Sequence, residues 1–553
     1  MKREMSRPAL PIEGPTRHGF LTRDGVELVA DIWKPAGSGR YPVMLMRQPY
    51  GRRIASTIVL AHPAWYAAQG YVVVIQDVRG CGDSGGRFSV LSNEAEDGAE
   101  TLAWAAELPF GTGQVATYGF SYQAMTQYLA LAGARKAGTK LPDAMVPVMG
   151  GWNIETDWAY EGGAFRMALH QNWALQMAAE QARRAGDMDE YQDFLNAAEQ
   201  GVHFGPRPAY AEILDRADGH IGHYGDWREG RAESFASIAP ETALSADPLD
   251  IPALHVAGWL DFMFDGTLAA YRAFQARSAA PQRLIVGPWA HLPWGRHVGV
   301  DLGEAAGDGV DADIVAFLDH HLKGVEQEGP PCRLFDLGAN CWRDLARFPE
   351  HYDHSLFLSS DGRAATTTTA GTLARAPDGE AQDFVVHDPW RPAPAVGLHW
   401  AFPGVYCDRR VADDRTDVAV YTTAPLEAEL RLAGPVAAEL HVGSDCPSHD
   451  LNCTLSVIRP DGTALTLTGG HLRVADSAAP GARLVAMRAV CATVPAGARL
   501  RLSIQMAAWP TFAINPGTGV RPEQAARGEA AVTTIDIRSG TASPSRLVLT
   551  RGD

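Results

Sequence analysis

Cysteine is sparse and unpaired in this chain. There are seven in 553 residues, and no two stand in a CxxC spacing. Cys81, Cys332, Cys341, Cys407, Cys446, Cys453 and Cys491 are scattered and odd in number, which indicates neither a zinc site nor a disulfide framework. Reduced thiols in a cytoplasmic protein are the expectation. Long apolar runs are missing too: none approaches the ~20 residues of a membrane span. The N-terminal MKREMSRPALPIEG lacks the apolar centre of a secretory signal. Positive charge is in deficit, with 48 Lys and Arg against 65 Asp and Glu, a net charge of −17 and a pI near 5.5. That balance argues against nucleic acid or an anionic membrane as a partner. A small-molecule substrate fits it, and a homo-oligomer is left open.

The rest of the composition is globular, 46% hydrophobic and 20% charged with 14 Trp, and the length exceeds one compact core. Residues 1–147 alternate strands and helices. VELVADIW alternates apolar and polar residues as a half-exposed strand does, whereas YPVMLMR and YVVVIQDV are near-continuous apolar runs, as strands buried on both faces are. The β-α-β-α order predicts a mostly parallel sheet covered by helices. Residues 148–246 read as a helical insertion, GAFRMALHQNWALQMAAEQARRAG being its longest segment. Residues 247–350 resume the sheet with IPALHVAGW and QRLIVGPW. Residues 351–553 are short strands between Gly, Pro, Asp and Ser turns, the texture of an all-β sandwich or jelly roll.

Two glycine motifs compete for the chemistry. Gly80-Cys81-Gly82-Asp83-Ser84-Gly85 spells G-x-G-x-x-G after a strand, the dinucleotide fingerprint. Its context fails, because GRFSVLSNE intervenes before helical spacing begins, and Asp83 would face a diphosphate with like charge. No cofactor is therefore expected. The second motif is YGFSYQA, residues 118–124, lying between a strand and a helix. It nearly spells G-x-S-x-G, the sharp turn that projects a nucleophilic serine from a sheet edge, but Gln123 replaces the second glycine. Taken alone, a bare Gly-x-Ser is a weak signal, and Ser121 reads first as an ordinary helix cap.

A nucleophilic serine needs a base and a group to orient it. The strand IPALHVAGW runs out at Asp261, and QRLIVGPW runs out at His291. Both lie beyond the carboxyl ends of strands, where open parallel sheets hold their sites. Asp265 is a rival acid that reads equally as a helix N-terminal carboxylate. His297 is a rival base in a loop with no strand behind it, His255 reads as a core residue, and His320 and His321 lie on a surface helix. For the oxyanion, the Tyr122 N–H is one donor. Gln48-Pro49-Tyr50-Gly51-Arg52 follows an early strand; Pro49 has no N–H, so the Tyr50 hydroxyl is the second candidate.

Together these segments resemble the cocaine esterase/X-prolyl dipeptidyl-peptidase group of α/β-hydrolases, the CocE/NonD hydrolases, over nearly the whole chain. DGVELVADIWKPAG with YPVMLMRQPYGR resembles the family's opening, DVRGCGDSGG its D-x-R-G-x-G-x-S-x-G loop, and GFSYQA its elbow. GWLD, GPWAH and FLDHHLKG resemble its acid, base and closing-helix segments, and PDGTALTLTGGHLRV and WPTFAINPGTG its jelly roll. The resemblance implies an α/β-hydrolase fold with a helical cap and a C-terminal jelly roll. It implies Ser121 as nucleophile, His291 as base, Asp261 as its orienter, and Tyr50 with the Tyr122 amide as oxyanion hole. Ala124 departs from it, standing where the family usually has glycine.

The cap segment GWNIETDWAYEGGAFRMAL is most similar to the α-amino-acid ester hydrolase and glutaryl-acylase branch. Those ester hydrolases hold an α-ammonium with carboxylates, some just after the triad acid. Here Phe262, Met263 and Phe264 follow Asp261, and only Asp157 or Glu155 offers a charge in the cap. An acyl pocket of Trp152, Trp158, Phe165, Phe262 and Phe264 is the expectation, with Asp157 a further substrate-binding candidate, although cap aromatics also serve as packing. The reading is a serine esterase for a hydrophobic or aromatic acyl group. An acylase, amidase or X-Pro-type peptidase with the same triad is the alternative, and a non-catalytic binding protein the outside one.

Overall fold

A computed structural model describes residues 9–53, 58–205, 207–246, 248–292, 294–307, 309–326, 329–400, 404–477 and 480–552. Residues 1–8 of the segment read for a signal lie outside them. No helix among the described residues is long and apolar enough to cross a membrane.

The first domain is built on a ten-stranded sheet. Its strands are β1 (Ile12–Leu21), β2 (Glu27–Pro35), β3 (Tyr41–Gln48), β4 (Val72–Asp77), β5 (Gly111–Phe120), β6 (Ala144–Val148), β9 (Ala253–Leu260), β10 (Gln282–Ala290), β11 (Cys332–Asp336) and β12 (Cys341–Leu345). β7 (Tyr160–Glu161) and β8 (Ala164–Phe165) form a separate hairpin in the insertion. The sheet order is β1-β2-β4-β3-β5-β6-β9-β10-β11-β12, parallel from β4 through β11 and antiparallel at both ends. β4 is buried along its whole length, as its run of β-branched residues requires in a sheet covered on both faces. Helices α1 (Pro63–Ala68), α2 (Glu94–Ala106) and α3 (Tyr122–Ala137) connect the early strands.

One strand differs from its expected pattern. β2 is not half-exposed: it is buried from Leu28 to Trp33. Its interior polar residue, Asp31, faces an arginine rather than water, pairing with Arg52 Nε at 2.9 Å. Alternating polarity marks a solvent face only when no buried counter-charge waits on that side.

Between β6 and β9 the chain leaves the sheet to form a helical cap, led by α4 (Met167–Ala185) and α5 (Met188–Gln200). α4 ends on Gly186 at φ 81°, a left-handed cap that favours glycine. The C-terminal domain is all-β: eleven strands between His354 and Leu549 form one folded-over sheet. Its core is continuous with apolar residues of β9, β10 and β11, so this domain packs directly on the end of the first sheet.

Candidate active site

Ser121 stands between β5 and α3 with φ 64° and ψ −124°, a left-handed conformation that a non-glycine residue adopts at a cost of about 1–3 kcal/mol. The surroundings hold it there. Its N–H donates to Val148 O at 2.9 Å, and its carbonyl accepts from Ala124 N at 2.9 Å as the helix begins. Gln123, the residue that broke the written motif, has a physical place. Its Oε1 accepts from Phe120 N at 2.8 Å, folding the side chain over Gly119. A Cβ on Gly119 would lie 2.6 Å from Gln123 Cβ, and Gly119 has φ +142°. The glycine before the serine is thus the one this turn needs.

The three strand-end residues meet. His291 Nε2 lies 3.0 Å from Ser121 Oγ, and His291 Nδ1 lies 2.6 Å from Asp261 Oδ1. Ser121, Asp261 and His291 are all buried. Phe120 and Phe262 flank the imidazole at centroid distances of 4.6 and 4.3 Å, which fixes its plane. The loop carrying Asp261 is held from two other domains. Arg488 of the β domain donates to the carbonyls of Asp261 and Phe262, the latter at 2.7 Å, and Arg166 of the cap donates to Phe262 O at 3.1 Å. Asp265 does not reach His291. It sits in the first turn of the helix Phe264–Arg277 with a half-exposed side chain, 3.5 Å from Arg488 Nε. His255 is buried in β9 against Gln282 at 3.3 Å, and burial pushes it down to about 4.

The Tyr122 N–H is the first of α3 and lacks an intrahelical acceptor. The Tyr122 side chain is committed elsewhere, its hydroxyl donating to Glu94 at 3.0 Å and accepting from Leu91 N at 2.8 Å. Tyr50 follows β3, with its own N–H donating to Gln48 Oε1 at 2.8 Å. Burial pushes its phenol up to about 12, against the opposing hydrogen bonds of Trp173 and Ser121, so it stays protonated and able to donate. The glycine-rich loop braces this segment. Arg52 binds Asp31, Asp77 and Asp83 at 2.9, 2.6 and 2.8 Å. A Cβ on Gly82 would lie 2.1 Å from the Asp77 carboxylate, and one on Gly80 would lie 2.0 Å from Phe88 N. The G-x-G-x-x-G string therefore wraps an ion network buried at Arg52, Asp31 and Asp77 and open at Asp83, which is why it imitates a nucleotide loop.

Ser121 and His291 open onto a cavity of about 540 Å³. Trp158, Leu169 and Trp173 of the cap, Phe262 of the core and Trp400 of the β domain supply much of its wall. No Asp or Glu is among its described lining residues, and Arg166 is their one formal charge. That guanidinium is engaged by Glu161 at 3.0 Å. Burial would raise Glu161, but His399 and Arg166 outweigh it and hold the carboxyl below the ordinary range.

Of the six residues expected to bind substrate, Trp158 and Phe262 line the cavity and four do not. Trp152 packs on Tyr128 and Phe274, at centroid distances of 5.3 and 6.1 Å. Phe165 stacks on His170 at 5.3 Å inside the cap, and Phe264 packs on Trp259 at 5.2 Å. Asp157 is buried and accepts from Trp152 N at 3.0 Å and Asn153 N at 2.6 Å. Burial pushes it up to about 6 against those bonds. Its carboxylate is spent on the turn that opens the cap. Glu155, the other candidate acid of the cap, borders a separate groove. The β-domain wall, Ala395, His399, Trp400, Pro510 and Thr511, carries no local sequence mark of a site. The likeness of WPTFAINPGTG to a jelly-roll segment was its one trace. Among the described residues no group of His, Cys, Asp or Glu is placed to hold a metal ion.

Comparison with known proteins bears on the whole chain. The profile of the X-Pro dipeptidyl-peptidase (S15 family) matches residues 24–293, and that of the X-Pro dipeptidyl-peptidase C-terminal non-catalytic domain matches residues 323–548. The chain is 30% identical over 480 residues to the cocaine esterase of Rhodococcus sp. (strain MB1 Bresler), covering 82% of this chain and 81% of that one. An aminopeptidase from a marine sediment Thaumarchaeota archaeon has a TM-score of 0.79 at 21% identity, with 100% of this chain and 98% of that one covered. An α-amino acid ester hydrolase has a TM-score of 0.76 at 20% identity, with the same coverage of 100% and 98%. At those identities the two solved structures speak for the fold alone.

Proposed function

The chain belongs to the cocaine esterase (CocE/NonD) family of serine hydrolases, and within it we propose an esterase for neutral, hydrophobic or aromatic acyl groups, with Ser121, His291 and Asp261 as its triad. Ser121 Oγ attacks the ester carbonyl carbon while His291 Nε2 takes the hydroxyl proton. Asp261 holds the imidazole tautomer and stabilises the imidazolium. The oxyanion of the tetrahedral intermediate accepts from the Tyr122 N–H and the Tyr50 O–H, which act where charge develops. On collapse the C–O bond to the alcohol breaks and His291 returns the proton to the leaving oxygen. Water then attacks the acyl-enzyme by the same relay, releasing the acid and restoring Ser121.

The observation that carries the acyl preference is the wall of the cavity: mainly aromatic and aliphatic side chains with a few neutral polar ones (Gln123, Asn172, Gln176 and Thr511), and no carboxylate among the described lining residues. A substrate ammonium would lose water there and find no counter-charge among the described lining residues, whose one formal charge, Arg166, is of like sign. Matched phenylacetyl and phenylglycyl esters test this at a pH where the second carries a full ammonium. A higher kcat/KM for the phenylacetyl ester supports the reading. A higher value for the phenylglycyl ester would show an anionic subsite and overturn it.

A further inference from the structure

Trp173 lies on α4 of the cap and forms part of the cavity wall. An apolar wall needs only a ring, yet here the indole Nε1–H is used: it donates to the Tyr50 hydroxyl at 3.1 Å. This bond joins a cap side chain to one in the core loop after β3. We infer that Trp173 is a positioning residue for the oxyanion hole, its indole N–H filling the acceptor side of the Tyr50 hydroxyl so that the Tyr50 proton is aimed at the carbonyl oxygen over Ser121. The inference rests on Tyr50 being an oxyanion donor.

The chemistry is specific to these two groups. An indole N–H donates and cannot accept, while a phenol hydroxyl has one proton to give and lone pairs to receive. A phenol O–H turns about its C–O bond. With an indole N–H on one side, the proton is excluded from that side and must point away from it. Accepting this bond also polarises the O–H, strengthening it as a donor. Direction and strength are thereby set before the substrate arrives, which is where preorganised donors gain over water.

The indole is itself held. Trp158 and His223 pack edge-on against it, each at a centroid distance of 4.9 Å. Burial pushes His223 well below its ordinary value, so this neighbour is a neutral ring. α4 is then pinned to the core along the same side. Gln181 Nε2 donates to Gly80 O at 3.0 Å, and Arg184 donates to the carbonyls of Gly82 and Ser84. Residues 8 and 11 positions after Trp173 return to within about 80° and 20° of its direction on a helix of 3.6 residues per turn. Cap docking on the glycine-rich loop and orientation of the Tyr50 hydroxyl are thus properties of one helix face.

The test is a cycle of Trp173→Phe, Tyr50→Phe and the double variant on a neutral aromatic ester. kcat and KM are measured per active site titrated by burst amplitude, with Tm recorded to follow folding. Trp173→Phe keeps an aromatic wall and removes the N–H. Its kcat is expected to fall roughly tenfold, one net hydrogen bond's worth, with KM within about twofold. Tyr50→Phe is expected to lose roughly 10²–10³ in kcat. The double variant is expected to match Tyr50→Phe within about twofold, because with no hydroxyl left there is nothing to aim. A Trp173→Phe effect confined to KM, or one that multiplies with that of Tyr50→Phe, overturns the inference and leaves Trp173 a wall residue. A near-normal kcat for Tyr50→Phe alone overturns it differently, by removing Tyr50 from the mechanism.

Discussion

The methyl group of Ala124 occupies the space that a side chain at Gly150 would fill: a Cβ built on Gly150 would lie 2.6 Å from Ala124 Cβ. Ala124 stands where the resemblance implies glycine in the helix after the serine, and the room for its methyl comes from the loop after β6. The φ of Gly150 is outside the left-handed region, so the constraint is steric alone. Gly150→Ala is expected to destabilise the protein by about 1–3 kcal/mol through overpacking. Adding Ala124→Gly should recover at least half of that loss despite the glycine's cost to the helix. Denaturant melts of the two single variants and the double give the coupling. Additive losses would show that the two positions do not compete for space.

Asp261 and Asp265 separate by position. Asp261 is buried 2.6 Å from His291, whereas Asp265 is half-exposed at a helix start. Asp261→Asn should reverse the proton preference at His291 Nδ1, and the corresponding change in a serine protease lowers kcat on the order of 10⁴-fold. Asp265→Asn should stay within about fivefold of wild type, since it perturbs only a partly screened contact with Arg488. Parallel kcat/KM measurements decide it, and a larger loss at Asp265 would move the orienting role there.

Acid should destabilise the fold through its buried histidines. Burial pushes His170 and His399 down to about 3, and His255 and His449 down to about 4. Their unfolded values are about 6.5. Below that pH the unfolded chain binds protons that the folded chain refuses, so their stabilisation is complete above about 6.5 and is lost as pH falls toward 4. Asp157, pushed up to about 6, works the other way: its contribution is present below its unfolded value and lost as pH rises through 6. Burial also pushes Asp77, Glu94 and Asp311 up and His203, His223, His321 and His387 down, so the histidines outnumber the carboxyls and Tm should decline steadily from pH 7 to 4.5. A Tm that holds or rises over that interval would contradict these directions.

The sequence made the fold class and the strand ends legible for a common reason. A parallel strand covered on both faces must be a continuous apolar run, so the ends of YVVVIQDV, IPALHVAGW and QRLIVGPW were visible as breaks in that run. Ser121, Asp261 and His291 could be nominated from those breaks and from their order along the chain. The pocket was far less legible. Phe165 and Phe262 are the same residue type, yet one fills the cap's interior and the other faces the cavity. Side-chain direction in a cap is set by packing between helices distant in sequence, which local spacing does not encode. β2 misled for a related reason, since Asp31 looks like a solvent-facing residue until Arg52 is placed beside it. Trp400 and Thr511 reach the cavity from a domain whose strands carry no local mark of a site.

The central claim is that Ser121 is the activated nucleophile. Intact-mass analysis after treatment with a fluorophosphonate, followed by peptide mapping, addresses it most directly. Wild type is expected to gain one adduct, on the peptide containing Ser121, with complete loss of esterase activity. Ser121→Ala is expected to fold with near-native Tm, to gain no adduct and to have no esterase turnover above background. An adduct on another residue, or labelling and turnover that persist in Ser121→Ala, would contradict the assignment.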